Sequence, residues 1–404
     1  MNKNIFKSLY HRNFRLFFTG QTISVIGTWL QITTMPWFVY RLTKSTLLLG
    51  FIGFLSQIFI LLLSPFAGAV ADQYNRKKLL FITQTFAMIQ ALLLGILTLS
   101  GKIQIWHIII LAGFIGIVNA FDMPTRQSYL VEIVGKDDLM NAIALNSSMF
   151  NAARLIGPAI AGILIAAFGE GLCFLINGIS FIAVIIALYL IKQTTNNSIS
   201  NKNKSIYQNF LSGIKYIQKS VNISTVLLFI LITGIINAFL MILMPVFVKD
   251  VYILDAKGLG VFMSSIGVGA FIGAITHAAR NETGKLKGII FRSSLIFGIF
   301  LIAFAFSKNI FFAILCLAFI GYFLISQMIA SNTFIQLIVP DEMRGRVMGF
   351  YSMSFMGFAP IGSLIAGFLA HNLTAPITVA IGGFACVLLS IVLRKRLFAK
   401  VANI

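Results

Sequence analysis

The sequence predicts an all-α membrane protein of about twelve transmembrane helices in two pseudo-symmetric six-helix bundles. Three observations carry this. Only 10% of the 404 residues are charged and 58% are hydrophobic, against about 25% charged in a soluble domain. Apolar runs of some twenty residues recur along the whole length, and at 1.5 Å per residue each crosses a hydrocarbon core roughly 30 Å thick. The chain also resembles itself at a shift of 205 residues.

In lipid the backbone must satisfy its own hydrogen bonds, which leaves helices or a closed barrel. The runs are continuous rather than alternating, so they are helices. The net charge of +20 would suit a nucleic-acid binder, but the bases lie between apolar runs rather than on one basic face, which excludes that class. Cys173, Cys316 and Cys386 fall inside apolar runs with neither disulfide nor metal spacing. The first apolar run is too long for a cleavable signal and leads into further spans.

The first six spans are expected over 16–40, 47–71, 79–100, 105–122, 141–168 and 172–191. The second six are expected over 223–247, 259–279, 289–306, 310–337, 347–369 and 376–394. The domains are accordingly 1–191 and 223–404, joined by a linker over 192–222. The linker's front half is polar and flexible in composition. Its back half sets Ile206, Phe210, Leu211, Ile214 and Ile217 near one helical face with Lys215 and Lys219 beside it. That pattern fits an amphipathic helix on the membrane surface, or equally a connector without lipid contact.

With the N-terminus in the cytoplasm, 24 of the 31 Lys and Arg residues fall in cytoplasmic segments and six on the other side, leaving Arg154 inside a span. This positive-inside bias puts both termini in the cytoplasm of a multi-pass inner-membrane protein. The repeat aligns the fifth and eleventh spans: Asp137 meets Glu342, Gly157 meets Gly362, and Ala161-Gly162 meets Ala366-Gly367. Two parallel six-helix halves are a transporter architecture, with a site expected near the midplane.

The second span ends in Gly68-Ala-Val-Ala-Asp72-Gln-Tyr-Asn75-Arg76-Lys77-Lys78. Gly68 permits close helix approach, and Asp72 suits a neighbouring helix N-terminus. Asp122-Met-Pro-Thr-Arg126-Gln follows the fourth span, Gly157-Pro158-Ala-Ile-Ala-Gly162 lies in the fifth, and Arg344-Gly-Arg346-Val precedes the eleventh. In these motifs and over almost the whole chain, the sequence resembles the major facilitator superfamily, in the subgroup of the enterobactin exporter and drug:proton antiporters. Asn75 departs from the family's usual glycine.

The resemblance implies the major facilitator fold and secondary transport of a small molecule, exported in exchange for protons by a monomer. It implies gating roles for Gly68, Asp72, Arg76, Asp122, Arg126, Gly157, Pro158, Gly162, Arg344 and Arg346. Arg76 is the expected partner of Asp122, with Arg126 a local competitor, and Asp72, Arg76 and Asp122 would latch the cytoplasmic ends. The Gly157-Pro158 bend would pack on the eighth span, where Gly267, Gly269 and Gly273 are small enough to receive it. Asp122 is the candidate proton carrier.

Arg154 lies about 20 Å along the fifth span, where a guanidinium is costly and usually functional. It suits bidentate recognition of an anionic substrate, or a structural tie to backbone carbonyls. The remaining candidate substrate contacts are Trp29, Gln31, Asn119, Asn237, Gln327 and Asn332, a polar and aromatic set fit for an amphipathic ligand. Interhelical hydrogen bonding is the competing account of these polar residues. No nucleotide loop or paired metal-binding histidines occur, so neither an enzyme nor an ATP-driven pump is expected, and no cofactor or metal. Import on the same fold, or a non-transporting receptor or assembly factor, are the other readings.

Overall fold

The computed structural model describes residues 6–135, 137–192, 206–278 and 285–398, with the side chains of Ser64, Pro65, Ala69, Asp72, 206–210, Ala278 and Asp341 outside that description. The described residues form helices joined by short turns. They are α1 (Arg12–Thr43), α2 (Thr46–Gln73), α3 (Arg76–Leu99), α4 (Ile105–Val134), α5 (Leu139–Phe168), α6 (Glu170–Leu190) and α7 (Ile206–Lys219). There follow α8 (Val221–Val246), α9 (Ala256–Ala278), α10 (Leu286–Phe306), α11 (Ile310–Ile338), α12 (Asp341–Ser352), α13 (Ala359–Asn372) and α14 (Ala375–Phe398). Among the described residues, eleven helical stretches are long and apolar enough to cross a membrane. α1 adds a twelfth, 32 residues long, its hydropathy diluted by Gln21, Thr22, Thr28, Gln31, Thr33 and Thr34.

Two spans depart from expectation. The fourth does not stop at Asp122, because α4 runs to Val134 with Pro124 inside it. Asp122 therefore lies twelve residues, about 18 Å, before the helix end. The eleventh is not one α-helix: α12 gives way to a π turn over Met353–Gly357 and then to α13. Pro360 explains the break, since it has no N–H and its ring would clash with the carbonyl of Met356 in a regular helix.

The chain divides into two compact units, Met1–Leu42 with Leu55–Lys202 and Asp255–Gly260, and Thr43–Phe54 with Asn203–Leu254 and Val261–Ile404. In the first unit, α3 and α6 pack antiparallel by leucine into glycine: Leu99 on Gly171, Leu175 on Gly95 and Leu92 on Gly178. In the second, α10 and α14 repeat the device, Gly298 against Gly383 and Val387, and Gly383 against Ile302.

The 205-residue repeat is visible in a second pair of crossings. In the first unit, a Cβ on Gly162 would sit 2.7 Å from the Ala256 carbonyl oxygen and 2.9 Å from Gly260 Cα. In the second, a Cβ on Gly367 would sit 2.6 Å from the Thr46 carbonyl oxygen and 2.7 Å from Gly50 Cα. Only glycine allows these backbones so close. The receiver of α5 is thus Gly260. Gly269 and Gly273, expected for that role, face Ala318 and Tyr322 of α11 instead, because they lie two to four turns further along α9.

The linker's front half lies outside the described residues. α7 packs its Gly213 face on Phe350 of α12, and Arg346 donates from Nη1 to Ser212 Oγ at 2.7 Å. Tyr216 and Ile217 join the cluster that holds Val347 and Tyr351. Gly213, Tyr216 and Ile217 are thus covered by protein, while Leu211 is exposed.

A short 3₁₀ turn, Lys7–Tyr10, precedes α1 and is clasped to the start of α5. Lys7 Nζ lies 2.7 Å and His11 Nε2 2.9 Å from the Asp138 carboxylate. Ser8 N–H donates to Asn141 Oδ1 at 2.9 Å, and Ser8 Oγ to the Asp138 carbonyl at 3.0 Å.

Candidate functional site

The first unit holds three polar groupings in an otherwise apolar bundle. Around Asp122, 2% exposed, the carboxylate accepts from Thr83 Oγ1 at 2.8 Å and Gln84 Nε2 at 2.7 Å, both on α3, and pairs with Arg126 on its own helix. Four residues make one helical turn, which stacks Arg126 on Asp122. The guanidinium also lies 5.9 Å from the centre of the Phe150 ring of α5.

Arg76, expected on Asp122, instead approaches Glu132 at 3.6 Å and donates from Nε to the Ala71 carbonyl at 3.2 Å. The reason is depth: Arg76 opens α3, while Thr83 and Gln84, which do reach Asp122, lie about 10 Å further along it. The side chain of Asp72, the third member of the expected latch, lies outside the described residues. A Cβ on Gly68 would meet nothing within 4 Å.

The second grouping is an amide chain through four helices. Asn177 Nδ2 (α6) donates to Gln31 Oε1 (α1) at 2.8 Å, Gln31 Nε2 to Gln90 Oε1 (α3) at 3.1 Å, and Gln90 Nε2 to the Leu111 carbonyl (α4) at 3.4 Å. Both ends of the Gln31 amide are thereby used within the bundle.

The third grouping lies on α5. Arg154 is half-buried and donates from Nη2 to Asn151 Oδ1 at 3.0 Å, its one side-chain bond among the described residues. Beside it, Gly157 and Ala153 pack on α1, where a Cβ on Gly157 would lie 2.5 Å from Trp29 Cβ. Pro158 is accommodated inside α5, which stays continuous to Phe168. Trp29 and Asn119 are both half-buried.

In the second unit Gln327 is fully buried, donating to the Phe229 carbonyl at 3.1 Å and accepting from Thr233 Oγ1 at 3.0 Å. It ties α11 to α8 as Gln31 ties α1 to α3 and α6. Asn237 Oδ1 and Ser331 Oγ are buried with no hydrogen-bond partner among the described residues. Asn332 Oδ1 accepts from Gln336 Nε2 at 2.6 Å. Arg344 is exposed, and Arg346 is engaged with α7.

One pair was not foreseen from sequence. Arg41, in the last turn of α1, makes a two-pronged bond to Glu170 at the start of α6, Nε to Oε1 at 2.6 Å and Nη2 to Oε2 at 2.9 Å. The signal was present: an acid and a base at ends of adjacent helices that the span count places on the same side.

Membrane-length helices, glycine crossings that repeat at a shift of 205 residues and buried polar groupings agree with the fold of the major facilitator superfamily. More narrowly, the sequence pattern of the transmembrane secretion effector family matches residues 4–403, and the chain belongs to that family. It is 29% identical to the staphyloferrin A transporter of Staphylococcus aureus over 380 residues, 94% of each chain. It is 22% identical to the enterobactin exporter EntS of Salmonella choleraesuis, covering 97% of this chain and 94% of that one. The fold matches the crystal structure of the nucleoside transporter NupG with a TM-score of 0.79 at 13% identity, over 96% of this chain and all of the other.

Proposed function

We propose that the chain is a secondary active exporter of a small amphipathic anion, of siderophore or drug-like kind, that works by alternating access and exchanges its cargo for protons. Arg154 is the observation that supports this most directly. Its guanidinium carries five N–H donors, and among the described residues its one side-chain bond is to Asn151. A cation held partway along a membrane helix gains most from an anionic ligand that takes the remaining donors bidentately. Trp29, against the same stretch of α5, supplies an aromatic surface beside it, and Asn119 a further polar contact. The siderophore class comes from the relatives named above.

Asp122 is the proposed proton carrier. It is the buried acid of α4, held by Thr83, Gln84 and Arg126, and release of Arg126 would be the event that frees it. Gly157, Pro158 and Gly162 would let α5 slide on α9 as access changes. Gly68, Asp72, Arg76, Arg344 and Arg346 would govern the opposite ends. The protein would work as a monomer in the cytoplasmic membrane, with both termini inside.

The test is flux in proteoliposomes with a preset pH gradient. A carboxylate siderophore should leave against the proton gradient, and reversing the gradient should reverse the flux. Arg154→Ala should lower apparent affinity about 10- to 100-fold, the loss of a charged hydrogen bond worth about 1.5–3 kcal/mol. Flux indifferent to the pH gradient would remove antiport, and an unaltered affinity in Arg154→Ala would remove the anion site.

A further inference from the structure

Outside the transport groupings, one cavity of about 170 Å³ opens where α3 begins and α6 ends, lined by Asn75, Lys77, Lys78, Phe81, Leu188 and Tyr189. Its chemistry is divided. Lys77 Nζ donates to the Ile191 carbonyl at 2.7 Å, which uses one of its three N–H groups. Asn75 Oδ1 accepts from the Lys78 backbone N–H at 3.0 Å, leaving the exposed Lys78 ammonium outside that bond. Among the described residues, neither lysine forms an ion pair with a carboxylate. The opposite wall is apolar and continues along the helices as exposed side chains, Phe81 and Phe86 on α3 and Ile186 and Tyr189 on α6. Ile186 and Tyr189 lie three residues apart on one face of α6, and all four side chains are exposed, where a soluble protein would not leave them.

We propose that this groove seats one anionic phospholipid, its phosphate between Lys77 and Lys78 and an acyl chain along Phe81, Leu188 and Ile186. Charge complementarity selects the headgroup: two ammonium groups without acidic partners sit at the depth where lysine and tyrosine anchor helices. The apolar wall selects a lipid over a free anion, since inorganic phosphate would leave Phe81 and Leu188 uncovered. The site is distinct from the proposed cargo contacts, because it opens on the lipid-facing side of α3 and α6.

The experiment uses the full chain in bilayers of phosphatidylcholine, with photoactivatable phosphatidylglycerol as probe and a matching phosphatidylcholine probe as control. Crosslinks are mapped by peptide mass spectrometry. The phosphatidylglycerol probe should label peptides spanning 75–86 and 186–191, and the control should not. Lys78→Gln, a change at an exposed side chain, should cut that labelling about fivefold, the contribution of one lysine facing an anionic lipid, while labelling elsewhere stays constant. Equal labelling by both probes would overturn the proposal, as would labelling at this groove that Lys78→Gln leaves unchanged. Competition by millimolar inorganic phosphate without a phosphatidylglycerol preference would overturn it too, reassigning the groove to a small anion.

Discussion

Removing Arg41 should cost far more stability than removing its partner Glu170. The two side chains are unequally placed: Glu170 is 6% exposed and Arg41 46%. Arg41→Ala leaves a buried carboxylate without its counter-charge, a loss of about 3–5 kcal/mol for a broken buried pair. It also strips the guanidinium from the Phe38 ring, 5.7 Å away, and Phe38 itself packs edge-on against Phe174. Glu170→Gln leaves a half-exposed guanidinium that water can solvate, and the amide oxygen still accepts one bond. Its cost should be about 1 kcal/mol, one ordinary hydrogen bond. The double variant should recover most of the difference. Cys173, Cys316 and Cys386 are free and buried, so a thiol-reactive dye in detergent reports unfolding directly. Arg41→Ala no less stable than Glu170→Gln would refute the reasoning, and would mean the carboxylate is hydrated after all.

Gln31→Leu should destabilise by about 1–3 kcal/mol, since it strands Gln90 Oε1 and Asn177 Nδ2 in the bundle; intact stability with weakened cargo affinity would instead assign Gln31 to the ligand. Gly162→Leu drives a side chain into the Ala256 carbonyl, so it should abolish flux while leaving insertion intact. Unchanged flux in that variant would show that α5 does not need to approach Gly260. The N-terminal clasp should respond to acid. The hydrogen bond from Lys7, then that from His11, hold the Asp138 carboxyl below its ordinary 3.8, and the same contact raises Lys7 above 10.5. A lowered carboxyl stabilises fully above its unfolded value and loses that contribution as pH falls through the folded one. Amide-exchange protection of residues 7–11 should therefore drop as pH falls from 5 to 3, and Asp138→Asn should remove the dependence. Protection that is flat with pH in the wild type would exclude the ion pair as its source.

Much of the fold was legible because apolar runs of span length have one solution in lipid. The far end of the fourth span and the break inside the eleventh were not legible, because proline is an ambiguous signal. Pro124 passes inside a helix whose neighbours absorb it, whereas Pro360 forces a π turn, and only packing decides between them. For the site, residue types were readable and partners were not. The four-residue spacing of Asp122 and Arg126 was visible, but Thr83 and Gln84 come from another helix whose rotation the sequence does not state. Gln31 and Gln327 looked like ligand contacts because a polar side chain in an apolar run is equally well explained by a neighbouring helix, and the structure supplies that neighbour in both cases. The 205-residue shift, by contrast, paired Gly162 with Gly367, and both proved to be points of close backbone approach.

The clasp of the 3₁₀ turn on α5 bears on how the chain is made. Its contacts join residues 127 to 133 positions apart, so the leading turn has nothing to grip until the first four spans have entered the bilayer. At roughly 5–20 residues per second a ribosome needs about 7–26 s to supply them. Throughout that interval the first span is held by its hydrophobicity alone, and it is also the most polar of the set. A bulky fusion ahead of Lys7 would stand in the way of this late docking, so tags for biogenesis studies belong at the far terminus.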